Sequence, residues 1–366
     1  MAMTASESRI NSILGEFLRD LVKQETISAV GLYGSWGRYE ASPQSDVDLL
    51  IVDRRSFDYK YLELLDHGDL LIDILRIPRK WIDVTVNPEV DHVLFESIVL
   101  HDPEGVLERA REWVAENYRT PGRIDVRTEH NLILSDSYLS RATSAMLRGD
   151  WESAAVYAAF SMDPGVEVLI DIASLPVTEI SFIWNLRRAS EGLGLLGLYR
   201  TYLSTARLTG LKADDISSSI KAFEESWRLV SSFMEENRRV VERVHRRLRN
   251  EISYRTTSTY LKAVLARVGR VVEERNYMEA GHYLRGNHLR LLEEFSEISA
   301  RKRGRKFDYP SLFKSLREDE EIYRHAVEIF DLRELDEGKA KEAIESARSV
   351  ISYIRRNRKE LIAKHL

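Results

Sequence analysis

Hydrophobic residues recur at helical spacing near the start of the chain and then fall into short strand-like runs. From Ser6 to Gln24 the apolar residues stand three and four apart, which predicts an amphipathic helix. Apolar, β-branched runs bounded by turn residues predict four strands, at Ile27 to Tyr33, Val47 to Val52, Leu70 to Ile77 and Ile98 to His101. The first part of the chain therefore predicts an α/β (α+β) domain with a small mixed sheet.

From about residue 106 the pattern is helical and stays so to the end. Asp102 and Pro103 have the residue types of a helix start, with Asp as the cap and Pro in the first turn. Breaker residues predict interruptions at Thr120-Pro121-Gly122, Asp163-Pro164-Gly165, Thr209-Gly210 and Gly304 to Pro310. We expect three domains: the α/β domain over residues 1–105, and all-α helical bundles over residues 106–235 and 236–366.

Two pairs of similar segments indicate that the helical part is a duplication. The stretch DWESAAVY from Asp150 resembles NYMEAGHY from Asn276, and ESWRLVSSF from Glu225 resembles ESARSVISY from Glu345. The two offsets agree apart from a small deletion. Amphipathic helices also resemble one another by chance, so a repeat and a coincidence both stay open at this point.

Composition narrows the class of protein. The chain has 366 residues, of which 43% are hydrophobic and 31% charged, so disordered and fibrous classes are excluded. We expect a cytoplasmic protein with no membrane partner, because no apolar run approaches the ~20 residues of a bilayer span. Cysteine is absent, which excludes disulfides and thiolate metal sites. Few thermolabile residues and many charges suggest a thermophile.

Charge is unevenly distributed along the chain. The net charge is −5, yet residues 236–306 contain 18 Lys and Arg against 9 Asp and Glu. This basic segment is either a solvated helical face or a surface for a polyanion, so nucleic acid is a candidate partner.

One motif carries candidate chemistry. After the first predicted strand, Gly34 and Ser35 have side chains small enough for the backbone to approach a phosphate, and Arg38 could supply a cation for the same anion. Asp46 and Asp48 stand two apart on the next strand, where the alternation of side chains puts both carboxylates on one face. Two neighbouring carboxylates repel each other unless a cation lies between them. Because their ligand atoms are oxygens, the cation that they favour is Mg²⁺.

A third carboxylate follows within the Leu70 to Ile77 run. Asp73 lies among apolar residues, where an isolated carboxylate is costly to bury and a neighbouring metal ion would offset the cost. Asp66 and Asp69 stand near the start of the same strand, and turn or cap duty explains them.

These residues resemble the signature of the DNA-polymerase-β-like nucleotidyltransferase superfamily. Tyr33-Gly34-Ser35-x-Gly37-Arg38 followed by Ser45-Asp46 is most similar to the kanamycin nucleotidyltransferase branch, with the minimal nucleotidyltransferases next. The specific likeness covers Val30 to Ile77, and a looser one extends through the first helical part.

The resemblance implies a nucleotidyltransferase that releases pyrophosphate by a two-Mg²⁺ mechanism. Gly34 and Ser35 would hold the β- and γ-phosphates of a nucleoside triphosphate, with ATP as the default. Asp46 and Asp48 would bind two Mg²⁺ ions. Asp73 would help to hold the second ion and would stand beside the attacking hydroxyl, whose proton it could take.

Two positions depart from the kanamycin branch. The kanamycin enzyme has a glutamate where this chain has Asp48. With an aspartate there, the three carboxylates of this chain are closer to the set that is usual in the superfamily. The kanamycin enzyme also uses a glutamate of its helical domain as a general base, and the position that aligns here is Met146. Asp150 and Glu152 are nearby carboxylates, but both also fit an ordinary helix N-terminus.

Several acceptors remain open. A small molecule with a hydroxyl group is favoured, and an RNA 3′-end or a protein, as for an AMPylating antitoxin, is the alternative. Three further hypotheses stay open: that the protein is the adenylating partner of a toxin-like chain, that it forms a homodimer, and that it is a catalytically idle scaffold. The scaffold is disfavoured because the carboxylates and the Gly-Ser turn are all present.

Overall fold

The computed structural model describes residues 14–41, 46–67, 70–178 and 180–365. Contacts group them into two units. Unit 1 comprises residues up to Tyr118 together with Arg246–Tyr254, and unit 2 comprises Arg119–His245 together with residues from Arg255 onward. The predicted boundary near residue 235 stays a prediction.

Unit 1 contains a small mixed sheet, as predicted, with five strands rather than the four predicted. Its strands, in chain order, are β1 Ile27–Tyr33, β2 Val47–Asp53, β3 Tyr61–His67, β4 Leu70–Pro78 and β5 Ile98–His101. The spatial order is β3-β4-β2-β1-β5. The pairing of β2 with β4 is parallel and the other three pairings are antiparallel.

Helices cover both faces of this sheet. They are α1 over residues 14–21, α2 Gly34–Gly37, α3 Lys80–Asp83, α4 Asp91–Glu96 and α5 Val106–Asn117. One face, including Leu50 on β2 and Leu75 on β4, packs against α4 and α5. The other face, including Leu49, packs against α1. Because both faces are buried, β2 is apolar almost throughout, which explains why its sequence identified it.

The structure of unit 1 bears on three predicted features: the first helix, the strands and the start of α5. The helix predicted from Ser6 is helical over residues 14–21, and residues 6–13 lie outside the described ones. Strand β3 was not predicted, and it contains Asp66, which pairs with Leu71 on β4 rather than serving a turn. The Asp102 carboxylate does accept hydrogen bonds from three N-terminal N–H groups of α5, but the helix begins at Val106, so Pro103 lies before its first turn.

The remaining chain is helical, as predicted. The helices are α6 Pro121–Leu147, α7 Trp151–Ile172, α8 Phe182–Gly192, α9 Leu196–Thr205, α10 Ala213–Glu236, α11 Arg238–Val241, α12 Arg246–Arg255, α13 Ser258–Glu273, α14 Tyr277–Lys302, α15 Leu312–Leu316, α16 Glu320–Phe330 and α17 Glu337–His365. Residues 246–254 of α12 belong to unit 1 and the other helices to unit 2. In the described part of the chain, no helix combines the length and apolar character that a bilayer span requires.

One predicted interruption is wrong. Asp163-Pro164-Gly165 lies inside α7, which continues through the proline. A Cβ on Gly165 would come within 3.1 Å of Ser135 on α6 and 3.3 Å of Ile351 on α17. The glycine therefore serves close packing of three helices, whose burial outweighs the backbone hydrogen bond that Pro164 cannot donate.

The similar segments occupy corresponding places in unit 2. Asp150 and Asn276 are the N-caps of α7 and α14, and each side chain accepts a hydrogen bond from the backbone three residues on. The second pair lies within α10 and α17. Helix α17 packs against α7, and α10 packs against α14. Duplication of the helical unit stays a prediction.

Candidate functional site

Gly34 joins β1 to the short helix α2 and lies against a carboxylate of the next strand. Its φ is +66°, in the left-handed region that favours glycine. A Cβ atom here would stand 2.1 Å from Oδ2 of Asp48 and 2.9 Å from its Cγ. The missing side chain therefore lets the turn and Asp48 approach each other, a constraint that the sequence motif alone does not show.

A second glycine fixes the far end of the turn. A Cβ on Gly37 would lie 2.3 Å from the backbone oxygen of Glu96 and 3.2 Å from that of Leu32. Helix α2 is thus held against the end of α4 and against β1. Ser35, the predicted phosphate contact, lies between the two glycines and is half-buried.

Asp48 and Asp73 are direct neighbours across the sheet. The parallel register pairs Asp48 on β2 with Asp73 on β4, and the β1–β2 register pairs Tyr33 with Asp48. Because side chains alternate along a strand, the two aspartates share the sheet face of Leu50 and Leu75. The structure therefore brings together two of the three predicted carboxylates beside the Gly34 turn.

Asp46 immediately precedes β2 and is half-buried. It was predicted to lie on the same strand as Asp48, but the strand begins one residue later, so a shared face of the two carboxylates stays a prediction. Ser45, which completes the predicted motif, lies outside the described residues, as does Asp69.

Asp73 is nearly buried and contacts a tyrosine from a distant part of the sequence. The side chain is 7% exposed. The hydroxyl of Tyr254, on α12, donates a hydrogen bond to its Oδ2 over 3.3 Å. Sequence reasoning missed this residue, because a tertiary contact across 181 positions leaves no local pattern.

Arg38, the predicted phosphate cation, pairs with two carboxylates. Its Nη1 lies 2.6 Å from Oε2 of Glu96 and its Nε lies 2.8 Å from Oε2 of Glu40. Burial raises the pKa of the Glu96 carboxyl, and the Arg38 charge opposes that rise. The guanidinium thus ties α2 to α4, a role that the motif did not reveal.

The two alternative carboxylates in the helical part have structural partners. Asp150 is buried and accepts hydrogen bonds from Ser153 and from the backbone of Lys314, and burial raises its pKa. Glu152 binds Arg317 and the Tyr323 hydroxyl. These contacts account for both residues as parts of the helical packing.

The carboxylates of Asp48 and Asp73 suit a hard cation whose remaining ligands come from a substrate and from water. Among the described residues, no group of three or more His, Asp or Glu side chains is arranged to hold a metal ion. Asp48 and Asp73 nevertheless stand side by side, and Gly34 leaves room for the Asp48 carboxylate. Mg²⁺ is commonly bound by one or two carboxylates plus substrate phosphates and water, so this pair fits a site that a nucleotide completes.

Comparison with protein families gives a match over the N-terminal part of the chain. Residues 13–113 match the nucleotidyltransferase domain family, and the match contains every residue of the predicted site. This part of the chain is a nucleotidyltransferase domain, and the protein is accordingly a transferase. No curated protein matches the chain.

A solved structure, of a nucleotidyltransferase-like protein from Exiguobacterium sibiricum 255-15, is 10% identical. The alignment covers 95% of this chain and 91% of that one with a TM-score of 0.33, a likeness too low to carry an argument.

Proposed function

We propose that unit 1 transfers a nucleoside monophosphate from a nucleoside triphosphate, with ATP as the default, to a hydroxyl acceptor and releases pyrophosphate. One observation carries the proposal: the register that sets Asp48 beside Asp73, next to a turn whose glycine makes room for Asp48. The domain match over residues 13–113 supports the same class of reaction.

Each site residue has a role in this reaction. The turn of Gly34 and Ser35 receives the β- and γ-phosphates through its backbone and the serine hydroxyl, with Arg38 close by. Asp46, Asp48 and Asp73 are the residues that would hold two Mg²⁺ ions. Such ions neutralise charge on the entering and leaving oxygens of an in-line displacement. Asp73 orients the acceptor hydroxyl and takes its proton.

We further propose that the domain is nearest to the kanamycin nucleotidyltransferase branch, on the motif from Tyr33 to Arg38, and that the acceptor is a small molecule. The general base of that branch has no counterpart at Met146, so Asp73 carries the proton transfer in this proposal. Aminoglycosides are not favoured over other small hydroxyl compounds.

The test compares Asp48→Asn with Asp58→Asn. Asp58 is a carboxylate of the same unit whose side chain is 85% exposed and pairs with Lys80. We expect Mg²⁺-dependent pyrophosphate release from a panel of triphosphates and acceptors to fall by about a hundredfold or more in Asp48→Asn, because the metal contributes several kcal/mol to the transition state. Asp58→Asn should retain it. Circular dichroism checks that both variants fold. If Asp48→Asn kept most of the activity, the assigned site would be wrong.

A nucleic acid is the second candidate acceptor. The observation that favours it is that residues 246–254 of the basic segment belong to unit 1 and include the exposed Arg246 and Arg247. Retention on tRNA should then fall steeply as salt rises, because phosphate contacts release counterions. Absence of binding at low salt would exclude this candidate.

A further inference from the structure

Tyr254 brings a hydroxyl of the chain itself to the proposed site. Residues 246–254 belong to unit 1, although the 127 residues between Tyr118 and Arg246 belong to unit 2. Tyr254 is half-buried near the end of α12, and its Oη donates to Oδ2 of Asp73 over 3.3 Å. The contact therefore lies within one unit and involves a proposed site residue.

The hydrogen bond has the polarity of an acceptor hydroxyl beside its base. A phenolic O–H donates, and the Asp73 carboxylate accepts, so the proton already points towards the oxygen that would take it. Asp73 pairs in register with Asp48, the other carboxylate on the same sheet face. Tyr254 thus has the same relation to Asp73 that the proposed function gives to the hydroxyl of the acceptor.

The bond from Tyr254 to Asp73 is longer than the bonds that two buried tyrosines of unit 2 make to carboxylates. Hydrogen bonds from a hydroxyl to a carboxylate are usually 2.5–2.7 Å long. In unit 2, Tyr202 donates to Asp163 over 2.8 Å and Tyr157 donates to Glu293 over 2.9 Å, and both tyrosines are fully buried. At 3.3 Å, the bond from the half-buried Tyr254 to Asp73 is longer than either.

We propose that Tyr254 is a self-modification site, at which the chain nucleotidylates its own phenolic oxygen; this inference rests on the proposed function. The Tyr254 oxygen attacks the α-phosphorus of a bound nucleoside triphosphate and forms an O–P bond. The bond from that phosphorus to the bridging oxygen of the β-phosphate breaks, and pyrophosphate leaves with the electron pair. The phenolic proton passes to the Asp73 carboxylate. The product is a tyrosine phosphodiester, and no oxidant or further reactant is needed.

The experiment uses the full chain with Mg²⁺ and ATP labelled at the α-phosphate, followed by the other three triphosphates. Intact mass and peptide mapping locate the label. We expect one nucleoside monophosphate per chain on Tyr254, forming at a rate independent of protein concentration because donor site and acceptor belong to one chain. Tyr254→Phe should fall to the background level of Asp48→Asn. Tyr39→Phe is the matched control, since Tyr39 is a tyrosine of unit 1 that is 85% exposed, and it should label as the unmodified sequence does.

A second measurement separates failure of this inference from failure of the proposed function. Equilibrium binding of ATP with Mg²⁺ is measured for the same variants, and we expect Tyr254→Phe to retain binding that Asp48→Asn loses. Binding that depends on Asp48 without any label on Tyr254 would overturn the self-modification and leave the proposed function standing. Label that persists in Tyr254→Phe would also overturn it. Absence of binding that depends on Asp48 would overturn both.

Discussion

The carboxylate of Asp48 fills the space that a side chain at Gly34 would need. A Cβ on Gly34 would lie 2.1 Å from Oδ2 of Asp48, and the backbone of Gly34 has φ +66°. Any other residue at this position would therefore meet two separate costs. One is the strain of a left-handed backbone, and the other is displacement of a proposed metal ligand.

Gly34→Ala should differ from its control variant, Gly149→Ala, more in activity than in stability. Gly149, between α6 and α7, has φ +69° and no atom within 4 Å of a Cβ, so Gly149→Ala carries the backbone strain alone. We expect either substitution to lower the free energy of unfolding by about 1–2 kcal/mol for the left-handed backbone. Only Gly34→Ala should also abolish pyrophosphate release, because Asp48 must move.

Urea unfolding and the pyrophosphate assay measure the two effects. Equal activity of Gly34→Ala and Gly149→Ala would show that the approach of Gly34 to Asp48 has no part in the reaction.

The sheet illustrates what the sequence could predict and what it could not. Strand β2 is buried on both faces, so its residues form a continuous apolar run that identifies a strand. Strand β3 is an edge strand whose sequence, YLELLDH, contains Glu63 and Asp66, and several of its residues are exposed. Its stability depends on pairing with β4, including the ion pair of Glu63 with Arg76, which no local pattern reveals.

The candidate site, like the sheet, could be predicted only in part from the sequence. The carboxylates and glycines stand in a local order that predicted the residues, because turn chemistry and strand alternation act over a few positions. The contact of Arg38 with Glu96 and that of Tyr254 with Asp73 join residues 58 and 181 positions apart. Such contacts follow from the packing of elements, so the sequence assigned Arg38 to a phosphate and gave Tyr254 no role in the site.

A buried ion pair joins α6 to α7 and should be far more sensitive than an exposed one. Nε and Nη2 of Arg127 lie 3.1 and 2.7 Å from the two carboxylate oxygens of Asp171, with both side chains at most 3% exposed. Arg355 and Asp136 join α17 to α6 at the same 2.7 Å, but with about half of each side chain exposed. The two pairs therefore differ mainly in burial.

We expect Asp171→Asn to lower the free energy of unfolding by about 3–5 kcal/mol, because it removes the carboxylate charge that pairs with the buried Arg127. Asp136→Asn should cost at most about 1 kcal/mol, since water screens an exposed pair. Replacing both Arg127 and Asp171 by apolar residues of similar size should recover much of the loss. Similar costs for Asp171→Asn and Asp136→Asn, measured by denaturant unfolding, would contradict this account.

His288 makes the stability of unit 2 depend on pH. The ring is fully buried on α14, 2.8 Å from the Ser226 hydroxyl and stacked on Phe330. Burial, and to a smaller extent the charge of His325, lower the pKa of His288 from 6.5 to about 3. A histidine whose pKa is lower in the folded state stabilises the fold fully above pH 6.5, and its contribution is lost as the pH falls towards 3.

The expected result is that the free energy of unfolding falls between pH 7 and pH 4, with roughly 3 kcal/mol of the fall due to His288, given about 1.4 kcal/mol for each pKa unit. His288→Gln retains a group that can bond to Ser226 but does not titrate. Its unfolding free energy should therefore vary less with pH than that of the unmodified sequence, whatever its value at pH 7. Urea unfolding at pH 7, 5.5 and 4 gives both curves. Parallel curves for the two proteins would mean that the buried ring does not take up a proton on unfolding and that other groups cause the pH dependence.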